Sequence, residues 1–500
     1  MGAIILSEAA TQGVPIQPSM NAASVSSDAS KSSQFGSIVK NGGSSLESGA
    51  ENGVVDNGGG GGSVVTGVTS ASVRGCPTLA EFENPNSEAQ AVHRGMLGNL
   101  HAGGENGVVN GVENGVVNGV ENGVVNGVEN GGCCDQNGAL VHEVSHPAVV
   151  GLQPVALVDH VARVDWSLLE AVPGERGGSM RVTTEELDHI LREVNSHFLM
   201  STTDAAEQRV KTLAGGSVAN TIRGLAHGLC VKTALVGVRG IDDRGQMFAE
   251  NMAHAGVDLS RLRAVPGMTA QCACLVDAEG NRTMRPCFLN AVRLQAEELT
   301  EKDFQGAKWV VLNGYGFYGE ELLENAVDLC KKVGVKVSMD LASFEVVRNF
   351  RPTLMRLLES GKVDLVFANE DESRELIKAE ANPCPEICLN FLSKYCERAV
   401  VMLGSKGCIA RHGTETVRVP AIVETTTVDT TGAGDLFASG FLYGVLNNLS
   451  LEDCCKMGCC TGGAVVRGLG GEVGEEGWEW MRQQLKLRGL PSIDLASRVS

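Results

Sequence analysis

The sequence predicts an α/β protein: a doubly wound, mainly parallel sheet with helices on both faces, plus a small β lid. Near-continuous apolar runs alternate with helical segments from residue 231 to 403, as strands buried on both faces of a parallel sheet require. Residues 269–286 break that rhythm: they alternate as a strand, turn at Gly280-Asn281 and return, so a hairpin is predicted to project from the sheet as a flap. The loop Gly432-Ala433-Gly434 stands directly before Asp435 and a helical apolar run (Leu436, Phe437, Phe441, Leu442). In such a sheet, loops of this kind bind ligands at the carboxyl ends of the strands.

Taken in order, "AVVGLQPVALVDHVARV" (148–164) is rich in Val and Leu and reads as strand. Thr183 with Glu186 three residues on is a capping box. Leu187, Ile190, Leu191, Val194 and Phe198 then follow at helical spacing. A second helix is predicted from Ser217, and a strand over 231–238. Strands over 308–314, 335–341, 363–369 and 398–403 alternate with helices over 319–334, near 346–360 and after 369. Gly334 is a C′ stop for the first of these helices.

The 500-residue chain is uneven. Residues 1–146 are crowded with Gly, Asn, Ser and Val and repeat "ENGVVNGV" from Glu105, Glu113 and Glu121. Each eight-residue unit has only three valines and two Asn-Gly turn pairs, too little apolar surface to offset the entropy of ordering. Residues 1–146 are therefore expected to be a disordered low-complexity tail, and 147–495 the folded domain, its lid contributed by about 155–182 and 266–291. The formal charge of −19 opposes binding to nucleic acid or anionic lipid. No apolar run approaches the ~20 residues of a membrane span. The sixteen cysteines form no CxxC pair pattern. Cys454, Cys455, Cys459 and Cys460 read as reduced small hydrophobes, as do Cys272 and Cys274 on one face of a strand. With no secretory h-region and no Arg in the first forty residues, the expected compartment is cytoplasmic, with a plastid as the alternative.

A helix start leaves several N–H groups unpaired and carries roughly half a positive charge. Gly432 and Gly434 let an anion approach those N–H groups, with Asp435 beside it. Alone, Asp435 would serve equally well as a charge complementing the helix dipole. No GxxxxGK[ST] occurs, so a P-loop is excluded, and no GxGxxG follows the first strand, which argues against a dinucleotide site. "AGGSVANTIRGLA" (214–226) supplies a second constellation, joining Gly215-Gly216 to a helix that carries Asn220 on its first turns.

Together, "AGGSVANTIRGLA" and "DTTGAGD" resemble the signatures of the ribokinase-like (PfkB) family of carbohydrate and nucleoside kinases over about residues 148–490. The resemblance implies Asp435 as catalytic base, with Gly432, Ala433 and Gly434 as its anion hole, and Asp429 as ligand for a monovalent cation, K⁺. Asn369 and Glu372 match the Asn-x-x-Glu that organises Mg²⁺ and phosphate, and Gly404 and Gly407 match the ATP-binding strand end. Asp159, Gly215, Gly216 and Asn220 match positions that hold the hydroxyls of a sugar or nucleoside acceptor. The segment "GNRTMRPCFLNAV" looks more like the adenosine-kinase-like branch. The implied protein uses ATP and Mg²⁺, transfers the γ-phosphate to a primary hydroxyl, and is a monomer or homodimer. Two positions depart from the family: Val155 where many nucleoside kinases have Asn, and Met402 where a threonine is common. They support a rival expectation, a kinase-like protein that binds or regulates without catalysis.

Overall fold

Pro154 divides the run expected as one strand, and its halves enter different sheets. With no N–H and a fixed φ, proline cannot continue the ladder. The chain therefore turns after Gln153 and starts again at Leu157. The computed structural model describes residues 146–200, 210–288, 292–380, 382–422 and 427–493; the tail expected up to 146 lies outside these, apart from His146.

In chain order the first elements are β1 (Val149–Gln153), β2 (Leu157–Arg163), α1 (Trp166–Ala171), α2 (Thr184–Met200), β3 (Lys211–Gly215) and α3 (Ser217–Arg223). There follow β4 (Thr233–Gly240), α4 (Asp243–His254), β5 (Val257–Asp258), β6 (Leu262–Val265), β7 (Ala270–Val276) and β8 (Arg282–Cys287). The middle of the chain forms β9 (Trp309–Asn313), α5 (Leu322–Lys332), β10 (Lys336–Asp340), α6 (Phe344–Glu359), β11 (Leu365–Asn369) and α7 (Glu370–Leu376). The last third forms α8 (Pro385–Leu392), β12 (Arg398–Met402), β13 (Cys408–His412), β14 (Glu415–Val419), α9 (Ala433–Leu446), α10 (Leu451–Val465) and α11 (Glu475–Leu487).

The large sheet runs β14-β13-β12-β11-β10-β9-β1-β4-β5, with β6 also on β4. It is parallel except for β13 and β14, which close one edge as antiparallel strands. Side chains alternate between its two faces. Val149, Trp309, Val311, Leu365 and Phe367 pack with α3, α9 and α10 on one face. Val150, Val310, Leu312, Val366 and Ala368 pack with α5, α6 and α8 on the other. Both faces are apolar, which is why these strands read as continuous hydrophobic runs.

The lid is larger than its hairpin. β7 and β8 pair as expected around the Gly280 turn, but β2 and β3 extend them into a four-stranded sheet ordered β3-β2-β7-β8. The strand Lys211–Gly215 falls outside the lid segments expected from sequence. α2 covers one face of this sheet through Leu187, Ile190 and Val194, and its Thr183–Glu186 capping box forms in both directions. Gly334, at φ +73°, ends α5 as expected.

Candidate active site

Five neighbouring parallel strands end on the residues Met402 (β12), Asn369 (β11), Asp340 (β10), Asn313 (β9) and Gln153 (β1), and all five line one cavity of about 970 Å³. The lid sheet contributes a further wall through Asp159, Cys272, Arg282 and Met284. The start of α9 brings Gly432, Ala433, Gly434 and Asp435 to the same space.

α9 is buried because its sequence is apolar almost all round. Phe437 and Phe441 meet Phe367 of the sheet, with ring centroids 6.4 and 5.4 Å away. Gly432 precedes the helix at φ +77°, and a Cβ there would come 2.9 Å from the Gly471 Cα, so this turn admits only glycine without movement. The Ala433 N–H donates to the Thr430 carbonyl at 3.2 Å, closing the turn, while the rest of the first helical turn has no acceptor within the helix.

Asp435 is held from α3. Ser217 Oγ donates to its Oδ1 at 2.5 Å and Asn220 Nδ2 to its Oδ2 at 2.9 Å. The Asn220 carbonyl oxygen in turn accepts from buried Arg223 at 2.7 Å, which fixes the amide so that its NH₂ faces the carboxylate. Burial raises the Asp435 pKa, and the Ser217 and Asn220 hydrogen bonds, with the positive charge of Arg282 and Arg223, pull it back. The same network reaches the sheet, where Asn313 Nδ2 donates to Ser217 Oγ at 2.8 Å and to Asp340 Oδ1 at 3.1 Å.

Asp340 carries an acidic pair with Glu372. Burial and the charge of Asp435 push the Asp340 carboxyl up to about 7, and burial and Asp340 raise Glu372 well above the usual carboxylate range. Glu372 is locked in a capping box with Asn369: the Asn369 N–H and Nδ2 donate to its oxygens at 2.8 and 2.6 Å, and Asn369 Oδ1 accepts from the Glu372 N–H at 2.9 Å. Two raised carboxyls that repel one another and line the same cavity suit a divalent cation, which removes their mutual repulsion. Gly404 and Gly407 lie beside Ser405 and Lys406 at the same end. Met402 covers the glycine loop, its Cε 3.3 Å from where a Gly434 Cβ would stand.

Asp159 sits on the lid strand, 3% exposed, with Oδ1 lacking a hydrogen-bond partner. Burial lifts its carboxyl to about 7. Gly215 faces it: a Cβ there would fall 2.1 Å from Asp159 Oδ2. Cys272 and Cys274 flank Asp159, their sulfurs and its carboxylate within 4.8 Å of one another. Both cysteines are unbonded, and Cys272 and burial push the Cys274 thiol well above its usual range, so it stays a neutral neighbour. Gln153 holds Gly215 and Gly216 against the β1–β2 turn, donating to the Gly215 carbonyl at 3.3 Å and accepting from the Ala219 N–H at 2.8 Å.

Asp429 is fully buried but lies deeper than the others. Its oxygens accept from the Thr431 N–H at 2.8 Å and the Gly470 N–H at 2.7 Å, lacing the glycine loop to the segment Leu469–Glu472. The lid tip meets the same loop, where the Gly280 carbonyl accepts from the Thr430 N–H and hydroxyl, both at 2.9 Å.

The structure thus brings Asp435, Gly432, Ala433, Gly434, Asp159, Gly216, Asn220, Asn369, Glu372, Gly404 and Gly407 to one cavity. Gly215 and Asp429 stand behind its wall. Sequence reasoning missed Ser217, Arg223, Arg282, Asn313, Asp340 and Gly470. A polar residue at the end of an apolar strand was the available signal for Asn313 and Asp340.

A lid sheet over the carboxyl ends of a doubly wound sheet, with a glycine loop holding a carboxylate at a helix start, defines a small-molecule kinase. The chain belongs to the PfkB family of carbohydrate kinases, whose family model matches residues 186–476. It is 26% identical over 275 residues to a ribokinase of Lactococcus lactis subsp. lactis, covering 54% of this chain and 85% of that one. It is also 26% identical over 292 residues to an adenosine kinase of Schizophyllum commune, covering 54% and 84%. Among solved structures, the adenosine kinase of Sinorhizobium meliloti superposes with a TM-score of 0.60 at 28% identity, covering 68% of this chain and 99% of that one. Among the described residues no helix is long and apolar enough to cross a membrane.

Proposed function

We propose that this kinase moves the γ-phosphate of ATP to a primary hydroxyl of a sugar or nucleoside, with Asp435 as the base. The observation that carries this reading is the position of Asp435, at a helix start behind a glycine loop, oriented by two donors and partly withdrawn from water. Phosphoryl transfer needs positioning and charge neutralisation more than covalent help. Asp159, Gly216 and Asn220 would place the acceptor, and Asp435 would take the hydroxyl proton as oxygen attacks the γ-phosphorus. N–H groups of the first α9 turn, with Arg282 from the lid, would stabilise the equatorial charge. Mg²⁺ held by Asp340, Glu372 and Asn369 would supply charge neutralisation on the phosphates. Contact between Gly280 and Thr430 would keep water from competing for the phosphate. K⁺ at Asp429 would share that carboxylate with two N–H donors, so the K⁺ dependence of the rate decides its presence. The test is product formation from ATP across a panel of sugars and nucleosides; a protein that binds ATP yet phosphorylates nothing on the panel would overturn the reading.

A further inference from the structure

The acceptor side of the cavity carries positive charge that a neutral sugar or nucleoside does not need. Arg181 and Arg293 both line it, and both guanidinium groups lie over the ring of Phe288, their central carbons 4.3 and 4.7 Å from its centroid. Arg181 donates to the Phe288 carbonyl at 2.8 Å and Arg293 to the Tyr318 carbonyl at 2.5 Å, so carbonyl oxygens hold the two heads in place. The Arg293 Nε is buried without a hydrogen-bond partner. Among the described residues no carboxylate forms an ion pair with Arg293. Burial and the neighbouring Arg181 charge depress its pKa to about 10, and only the Tyr318 phenol, not a carboxylate, pulls it back. Glu345, whose charge does reach the Tyr318 hydroxyl, is held through Oε1 by the Ser179 N–H at 2.8 Å, while its Oε2 is buried without a hydrogen-bond partner and forms no ion pair with Arg293.

An arginine with a buried unpartnered N–H, set on the same ring as a second guanidinium, is costly to keep charged unless something negative joins it. Arginine's planar fork matches carboxylate and phosphate oxygens. We propose that the acceptor carries an anionic group, a phosphate or a carboxylate, that Arg293 and Arg181 bind at the end of the cavity away from the ATP side; this rests on the phosphotransferase reading above. The anion orients the molecule from its far end, leaving its primary hydroxyl for Asp435.

The experiment is calorimetric titration of the full chain, without nucleotide, with D-gluconate against D-glucose and D-fructose 6-phosphate against D-fructose. Product formation from ATP is measured separately on the same four compounds. At least one anion should bind tenfold or more tightly than its neutral counterpart, the two pairs telling carboxylate from phosphate. Arg293→Gln should erase that preference, Arg293→Lys should restore part of it, and thermal melts should match the wild type. Should Arg293→Gln fail to fold, Arg181→Gln provides the same comparison from the exposed side of the pair. Equal or tighter binding of the neutral members, an anion preference untouched by these variants, or no anion binding at millimolar concentrations would each overturn the inference. Arginine-dependent anion binding without transfer would keep it while sinking the transfer reading. Transfer to neutral acceptors, unaffected in Arg293→Gln, would do the reverse.

Discussion

Ser217 Oγ lies 2.5 Å from Asp435 Oδ1, a contact between residues 218 positions apart that joins the first turns of α3 and α9. Asp435→Asn keeps an oxygen for Ser217 but turns an NH₂ toward the Asn220 NH₂, losing one hydrogen bond while removing a buried charge. The variant should fold, with stability changed by about 1 kcal/mol. Turnover should fall by about 10²–10⁴, because the amide cannot take the hydroxyl proton. Product formation and thermal melts on both proteins check this; full turnover in the variant would leave Asp435 as a helix-end charge only.

Asp159 makes stability depend on pH. Its folded-state carboxyl titrates near 7, above the ordinary carboxylate value expected in the unfolded chain, so the folded state holds an extra proton between the two. Stability from this group is therefore fully present at acid pH and is lost as pH rises from ~4 toward ~7, by on the order of 2–4 kcal/mol. Asp159→Asn does not titrate. Melts of the ligand-free protein at pH 5 and pH 8 should show a larger loss for wild type than for the variant, and parallel losses would contradict the assignment.

Gly215→Ala places a methyl 2.1 Å from Asp159 Oδ2, on a strand that is anchored through Gln153. The carboxylate must move out of its place in the lid, with an overpacking cost of about 1–3 kcal/mol. Acceptor KM should rise by an order of magnitude or more, as the loss of a charged hydrogen bond of ~1.5–3 kcal/mol implies. ATP binding should be unchanged. Separate titration of nucleotide and acceptor reads this out, and an equal loss for both would point to global damage.

Glu372→Gln leaves a side chain that can still meet the Asn369 N–H but removes one member of the acidic pair. The Mg²⁺ concentration for half-maximal rate should rise by ~10–100-fold. Asn369→Ala removes the whole cap of α7 and should cost ~0.5–2 kcal/mol of stability as well. A Mg²⁺ titration of the rate, with melts for both variants, separates the two effects; an unchanged Mg²⁺ requirement in Glu372→Gln would remove that residue from the metal site.

The sequence by itself determined the sheet, because strands buried on both faces must be apolar throughout: Val310–Leu312, Val366–Ala368 and Ala399–Val401 could hardly be anything else. It also determined the two glycine-bearing loops, since Gly432 at φ +77° and Gly216 at φ +96° occupy backbone that other residues rarely adopt. What only the tertiary structure decided is which polar residues meet. Asp340 and Asn313 become site residues because β10 and β9 end side by side, and Asn220 points at Asp435 because Arg223 takes its oxygen. Pro154 sends β2 into the lid rather than the main sheet, and Lys211–Gly215 joins it there, far from its pairing partners in sequence. Local pattern reports burial and backbone preference, whereas the meeting of side chains dozens or hundreds of residues apart depends on strand order, register and the hydrogen bonds that packing permits.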